Sequence, residues 1–369
     1  MSVRGDSGTW VNILHSLSAE AEDLLFELND PALTRVLPEE KDVASWSKLR
    51  ELFECHALPG SDLLVERFAP AFAGCSLGGV PVLDVRPRNW KERSKVAIYM
   101  HGGGFALYSA ASTLGRAALF ADDTDLRVIS VDYALAPPAT FEEIRNQVVT
   151  VFRALLSDGY RPADTVMVGD SSGGALVVAV ILELCNLGPG LPAAAVLISP
   201  SIDFVPAKST AETSRASFVT ERSIAETAGE KEPRLTRPTT SIAADFSKGF
   251  SPTLIQGSKK ELLLSQFFGL YRALDLAGVA VELDLYEGMP QGFQFRSPDA
   301  LESKLARQKI RDFVLFWLAR EVSSERNGRA MRGISNVAGK KSGKNPRQAA
   351  EFTVPRHPWK NSLNARGTT

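Results

Sequence analysis

Cysteine and histidine are scarce, with three of the first and four of the second in 369 residues. Cys55, Cys75 and Cys185 stand at unrelated spacings, which excludes a disulfide framework and a CxxC metal clip. They read instead as small buried apolar residues in a reducing compartment. No His/Cys/Asp cluster has ligand spacing and no GxGxxG follows a strand, so neither a metal nor a nucleotide cofactor is expected. Long apolar runs are also missing. The most apolar stretch, Ala175 to Leu184, covers ten residues and includes Glu183, whereas a bilayer span needs about twenty. The opening MSVRGDSGTW is polar and lacks the apolar core of a secretory signal. A soluble, cytoplasmic chain with no membrane span is the expectation.

Charge is nearly balanced, at 42 basic against 43 acidic residues, yet it is unevenly placed. Residues 326–369 hold ten Lys or Arg and one acid, a net +9, which leaves −10 on the preceding 325. An acidic body argues against nucleic acid as the partner. The basic tail is rich in Gly, Asn and Ser, shows no apolar period, and is expected to lack fixed structure.

What is present is an alternation of short apolar runs and amphipathic stretches. Residues 10–29 and 42–55 carry helical spacing, the second ending before Pro59-Gly60. Leu63–Phe68 and Val80–Val85 have strand character on either side of Gly78-Gly79. From residue 94, strands are expected at Val96–Met100, Arg127–Tyr133, Thr165–Val168, Ala194–Ser199, Thr253–Gln256 and Val279–Tyr286. Helices are expected at Phe141–Leu156, Gly174–Leu187, Leu263–Ala277 and Glu302–Val322. This rhythm predicts an α/β fold with a mostly parallel sheet covered on both faces. The polar stretch 205–250 is expected as an insertion near the carboxyl edge, where such sheets place their sites.

Two motifs carry chemistry. Gly169-Asp170-Ser171-Ser172-Gly173-Gly174 follows an apolar strand and opens a helix, the context of a nucleophile elbow. The turn would expose the Ser171 hydroxyl, and the helix behind it would direct N–H groups at an oxyanion. Taken alone, such a turn could equally be structural or bind phosphate. His101-Gly102-Gly103-Gly104-Phe105, 70 residues upstream of Ser171, has the form of an oxyanion-hole loop whose amides approach a substrate carbonyl. The two together, in this order, favour acyl chemistry.

Residues 60–322 resemble the hormone-sensitive-lipase family of α/β-hydrolases, the bacterial family IV carboxylesterases. Besides HGGGF and GDSSGG, the resemblance rests on Val131-Asp-Tyr-Ala-Leu-Ala-Pro137, Ser199-Pro-Ser-Ile-Asp203, Ser251-Pro-Thr-Leu-Ile-Gln-Gly257 and Glu287-Gly-Met-Pro290. It implies an eight-stranded, mostly parallel sheet with helices on both faces. An N-terminal helical cap would span residues 1–60, the hydrolase domain 61–325, and the tail 326–369. The implied ligand is a small-molecule ester or other carbonyl compound, and the last strand and helix of such folds often pair subunits, which would give a homodimer. Carried over by position, Ser171 is the nucleophile, and Gly103, Gly104 and the Ser172 amide form the oxyanion hole. Glu261 takes the place of the acid that orients the base. On its own sequence context Glu261 could equally be an acid favoured by a helix N-terminus.

The pattern then breaks. The family's catalytic His follows EGMP, and here that residue is Gln291. His15 and His56 fall in the expected cap, His101 in the oxyanion loop and His357 in the tail. A serine hydroxyl is a poor nucleophile until a base takes its proton, and Gln has no useful basicity near neutral pH. Further departures are the loss of Arg and Glu around Ala134-Leu-Ala-Pro-Pro138 and Ser265-Gln266 in place of paired acids. Three readings follow: a carboxylesterase-like hydrolase with an impaired or altered triad; a non-hydrolytic enzyme of the same fold catalysing elimination, cyclisation or isomerisation; or a catalytically silent small-molecule-binding protein, as the plant gibberellin receptors resemble this family, keep the serine and lack the histidine.

Overall fold

The computed structural model describes Pro38 and residues 41–91, 94–202, 244–261 and 263–335, with side chains to residue 320. The helix expected over residues 10–29, most of the segment 205–250 and the chain beyond 335 lie outside the described residues. The chain divides into two compact units, Met1–Ser323 and Ser324–Thr369.

A long helix, α1 (Val43–Phe68), leads into a hairpin of β1 (Ala71–Leu77) and β2 (Val80–Arg86) turned at Gly78-Gly79. There follow β3 (Val96–Met100), α2 (Leu114–Thr124), β4 (Arg127–Val131), α3 (Phe141–Ser157), β5 (Thr165–Asp170), α4 (Ser172–Leu187) and β6 (Ala194–Ile198). After the undescribed segment come β7 (Thr253–Ser258), α5 (Leu264–Leu276), β8 (Val281–Tyr286), the short α6 (Phe293–Arg296) and α7 (Leu301–Ser335). The eight strands form one sheet in the order β1-β2-β4-β3-β5-β6-β7-β8. β1 and β2 are antiparallel to their neighbours, and every pairing from β4 to β8 is parallel.

Strands β3, β5 and β6 are buried along their whole length, because crossover helices cover both faces. One core layer is closed by α3, α4 and α5 through residues such as Val148, Phe152, Val177, Ile181, Phe267 and Leu270. The other is closed by α2 and α7 through Leu114, Phe120, Ile310, Phe313 and Leu318, with Val65 and Phe68 of α1 packed beside them. The parallel strands all end on the same side. His101 follows β3, Ser171 follows β5, Ser199 follows β6, Glu261 follows β7 and Gln291 follows β8.

Several expectations are corrected. Leu63–Phe68 is the last part of α1, not a strand, and Pro59 lies inside that helix. The buried positions Trp46, Leu49, Ser61 and Leu64 keep one helical stripe across the proline. Residues 58–60 and Cys55 are exposed, which puts the proline and the i+4 bond it removes on the outer side of the helix. β1 has no counterpart in the apolar pattern because it is an edge strand with six of its seven residues exposed. The cysteines are not buried: Cys55 and Cys75 are exposed and Cys185 is half-buried. They lie on the outer side of α1, on the edge strand and on α4. The last helix runs to Ser335, so residues 326–335, read as part of a structureless tail, are helical. None of the described helices is long and apolar enough to cross a membrane.

Candidate active site

The strand β5 reaches Asp170, the chain turns at Ser171, and α4 starts at Ser172. Ser171 sits at φ 52°, ψ −120°, a region that a non-glycine residue enters only when its surroundings hold it there, at a strain of about 1–3 kcal/mol. The surroundings are specific. The Ser171 N–H donates to Ile198 O of β6 at 2.9 Å, while its carbonyl accepts from Gly174 N and Ser201 N, each at 3.0 Å. Close backbone crossing completes the turn: a Cβ on Gly173 would stand 2.2 Å from Met100 O at the end of β3.

The oxyanion-type loop leaves β3 on that same crossing. Gly103 takes φ +115°, open to glycine alone without strain, and its carbonyl accepts from Ala106 N and Leu107 N at 3.1 and 3.0 Å. Ser172 is buried, and its Oγ accepts from Phe105 N at 3.3 Å. The loop that carries Gly103 and Gly104 is thereby tied to the N-terminus of α4.

Asp170 ties the loop from below. Its buried carboxylate accepts from Tyr99 Oη at 2.5 Å, from Gly102 N at 3.2 Å and from Arg116 Nη1 of α2 at 2.8 Å. Burial, and after it the Asp170 charge, pushes the Tyr99 phenol well above its ordinary range, so Tyr99 is a donor at every working pH. Burial opposes the charge of Arg116, but the Asp170 carboxylate outweighs it and holds the guanidinium charged. His101 is fully buried and stacked on Tyr133 at 4.3 Å between centroids. Its Nδ1 lies 2.7 Å from Gly102 O and must carry the hydrogen, since a carbonyl only accepts. Burial pushes this imidazole below its ordinary value, which keeps it neutral.

Gln291 is brought to Ser171, the place that the family resemblance implies for it, with its Nε2 donating to Ser171 Oγ at 3.2 Å. Glu261 is buried, and its Oε1 accepts from Ser258 N at 2.7 Å and from Ser199 Oγ at 2.8 Å. Ser199, in turn, accepts from Gly292 N at 3.4 Å. The hydroxyl of Ser199 thus bridges the candidate acid and the loop that bears Gln291. That bridge, the Asp170 network and the contacts of α1 described below were not identified from sequence. Ser199 falls within a quoted motif, but its spacing carries no chemical signature. The segment after Gln291 is anchored separately: Gln294 Nε2 donates to Gln256 Oε1 at 2.8 Å, and Gln256 Nε2 donates to Asp284 Oδ2 at 2.9 Å. Lys309 of α7 closes that chain on Asp284 at 2.8 Å. Among the described residues no group of three or more His, Cys, Asp or Glu is placed to hold a metal ion.

The arrangement thus sets a strained Ser171 at the strand–helix turn, a glycine loop tied to the same turn through Ser172, and the Gln291 amide on the Ser171 hydroxyl.

Comparison with known proteins gives the same fold. Residues 97–295 match the family described as alpha/beta hydrolase fold. An esterase of Acinetobacter venetianus is 30% identical over 226 residues, which are 60% of this chain and 75% of that protein. Esterase LipU of Mycobacterium tuberculosis is 30% identical over 264 residues, 67% of this chain and 86% of the relative. Among solved structures, an esterase from the bacterial hormone-sensitive lipase family aligns with a TM-score of 0.64 at 26% identity, covering 82% of this chain and 99% of the other. Sheet order, the strand–turn–helix at Ser171 and sequence similarity across the strands therefore converge: the chain belongs to the α/β-hydrolase fold family, as a carboxylesterase-like member similar to the hormone-sensitive-lipase esterases.

Proposed function

We propose that this protein binds small or medium carboxylic esters at a serine-hydrolase site whose proton relay is impaired, so that it hydrolyses them slowly. The single observation that carries the reading is the contact of Gln291 Nε2 with Ser171 Oγ at 3.2 Å. An amide NH2 donates only, and the amide oxygen accepts a hydrogen bond but no proton near neutral pH. In this reading Ser171 is the nucleophile, and Gly103, Gly104 and the Ser172 amide receive the carbonyl oxygen. Glu261 is the acid of the relay, and Gln291 fills the place of the base. Loss of the base alone costs roughly a millionfold in turnover in a comparable serine hydrolase. The oxyanion donors and binding retain roughly a thousandfold or more over water. The alternatives, a fold relative that polarises a carbonyl for elimination, cyclisation or isomerisation, or a silent binding protein, use the same carbonyl-holding half.

The test is release of p-nitrophenol from short acyl esters by the wild type, Ser171→Ala and Gln291→His. Slow wild-type turnover that Ser171→Ala abolishes and Gln291→His raises supports the proposal. Brisk wild-type turnover that Gln291→His leaves unchanged overturns it, because a base would then come from elsewhere. No turnover in any of the three overturns it in favour of a binding protein.

A further inference from the structure

Helix α1 lies against the chain just beyond the oxyanion-type loop, and two of its polar side chains, one helical turn apart, grip that segment. Arg50 is half-buried and, among the described residues, has no carboxylate at ion-pair distance. Its Nε instead donates to Ala106 O at 3.0 Å and its Nη2 to Ala136 O at 2.6 Å, partners 56 and 86 residues away in sequence. Both acceptors connect directly to the loop. The Ala106 N–H donates to Gly103 O at 3.1 Å, and the Ala136 N–H donates to Phe105 O at 2.8 Å. Glu54 accepts from Ser109 Oγ at 3.0 Å and from Ser112 Oγ at 2.9 Å. Trp46 and Leu49 of the same face pack on Ala106 and Leu107, with Phe53 edge-on to Tyr108 at 5.8 Å.

Among the described residues this guanidinium gains no ion pair to offset its desolvation, and burial pushes its pKa down. What the fork does provide is two directional bonds to two chain segments at once, a geometry that a lysine cannot reproduce. We propose that Arg50 and Glu54 are positioning residues: they clamp residues 103–112 from α1 and so fix where the amides of Gly103 and Gly104 stand relative to Ser171. The inference rests on the reading that those amides receive a substrate carbonyl. If so, a displacement of the loop by an ångström would lower turnover more than binding.

The experiment uses the full chain with Arg50→Met, Glu54→Ala and Arg50→Lys, each alone and with Gln291→His. Amide hydrogen exchange is followed in peptides spanning 101–113 and, as internal reference, 165–170 and 194–198. Exchange in 101–113 is expected to quicken roughly tenfold in Arg50→Met and Glu54→Ala with the reference strands unchanged. With Gln291→His, kcat should fall roughly ten- to hundredfold at nearly constant KM, and Arg50→Lys should recover only part of it. Unchanged exchange in 101–113 overturns the clamp, as does equal quickening in all three peptides, which would mark α1 as general ballast. A loosened loop with unaltered kcat also overturns it. If Gln291→His proves inactive, the ester reading fails on that result, while exchange still decides the clamp. Should Arg50→Met fail to fold, Glu54→Ala carries the same test.

Discussion

The two halves of the site are made of different material. The half beside β3 and β5 is backbone: a glycine loop, a strained turn and the first amides of α4, locked by crossings too close for a Cβ. The half beyond β6, β7 and β8 consists of side chains on loops: Glu261 takes a single hydrogen bond from Ser199 Oγ, and Gln291 gives a single one to Ser171 Oγ. Changing the first half means rebuilding the crossing of β3, β5 and α4. Changing the second takes one side chain, and Gln291 has much the reach of a histidine with none of its basicity. On the proposed reading, a proton relay can therefore be lost while the backbone half stays intact.

The strongest way to break this comparison is Gln291→His. If the backbone half is intact, p-nitrophenyl ester turnover should rise by about a thousandfold or more, and the new activity should grow with pH through roughly 6 to 7 as the imidazole becomes neutral. A negligible rise would mean that the carbonyl half is also defective. Next in size is Gly173→Ala. Its methyl would stand 2.2 Å from Met100 O, a backbone atom that cannot step aside. A loss of about 3 kcal/mol is expected from denaturant midpoints, and a well-tolerated alanine would refute the idea that packing enforces the turn.

Two further substitutions lie away from the site and should change stability without changing the turnover of the Gln291→His variant. Asp84 on β2 takes hydrogen bonds from Arg127 at 2.9 and 3.1 Å and from Arg86 at 2.7 Å. Burial raises its pKa, but the two arginines outweigh that and hold the carboxyl below its ordinary value. A carboxyl lowered in the folded state stabilises above its unfolded pKa and loses that contribution as pH falls through the folded one. Asp84→Asn should thus cost about 2 kcal/mol at pH 7, with the gap to wild type closing below about pH 4. The smallest effect is expected at Thr140, whose hydroxyl caps α3 in a reciprocal pair with Glu143. Thr140→Ala should lower stability by about 1 kcal/mol in thermal unfolding.

The same contrast explains what could be read from sequence. The backbone half was legible because glycine requirements and fully buried strands leave a linear trace: HGGGF after β3 and GDSSGG after β5. The approach of Gln291 to Ser171 is what the resemblance to the family's segment after EGMP implies. What escaped was tertiary. The Ser199 bridge, the Tyr99–Asp170–Arg116 network and the grip of Arg50 join residues tens of positions apart, with no local periodicity to betray them. Leu63–Phe68 misled because a short apolar run fits strand and helix equally. Only the continued burial stripe and the tight crossing at Gly115, where the amide donates to Ser61 Oγ at 2.8 Å, show why the helix persists past Pro59.

The bond from the Ser171 amide to Ile198 O on β6 also sets an order of events on the ribosome. Once residue 198 has emerged, every strand that shapes the turn exists, whereas Gln291 is 93 residues away, roughly 5–20 s of synthesis. Through the first 60 residues of that interval, until Ser258 completes β7, the outer edge of β6, wholly apolar and buried in the finished fold, has no strand to pair with. An unpaired apolar edge is what neighbouring chains capture. The nascent chain is thus open to aggregation between the completion of β6 and the arrival of β7, while the polar stretch 205–250 is being made.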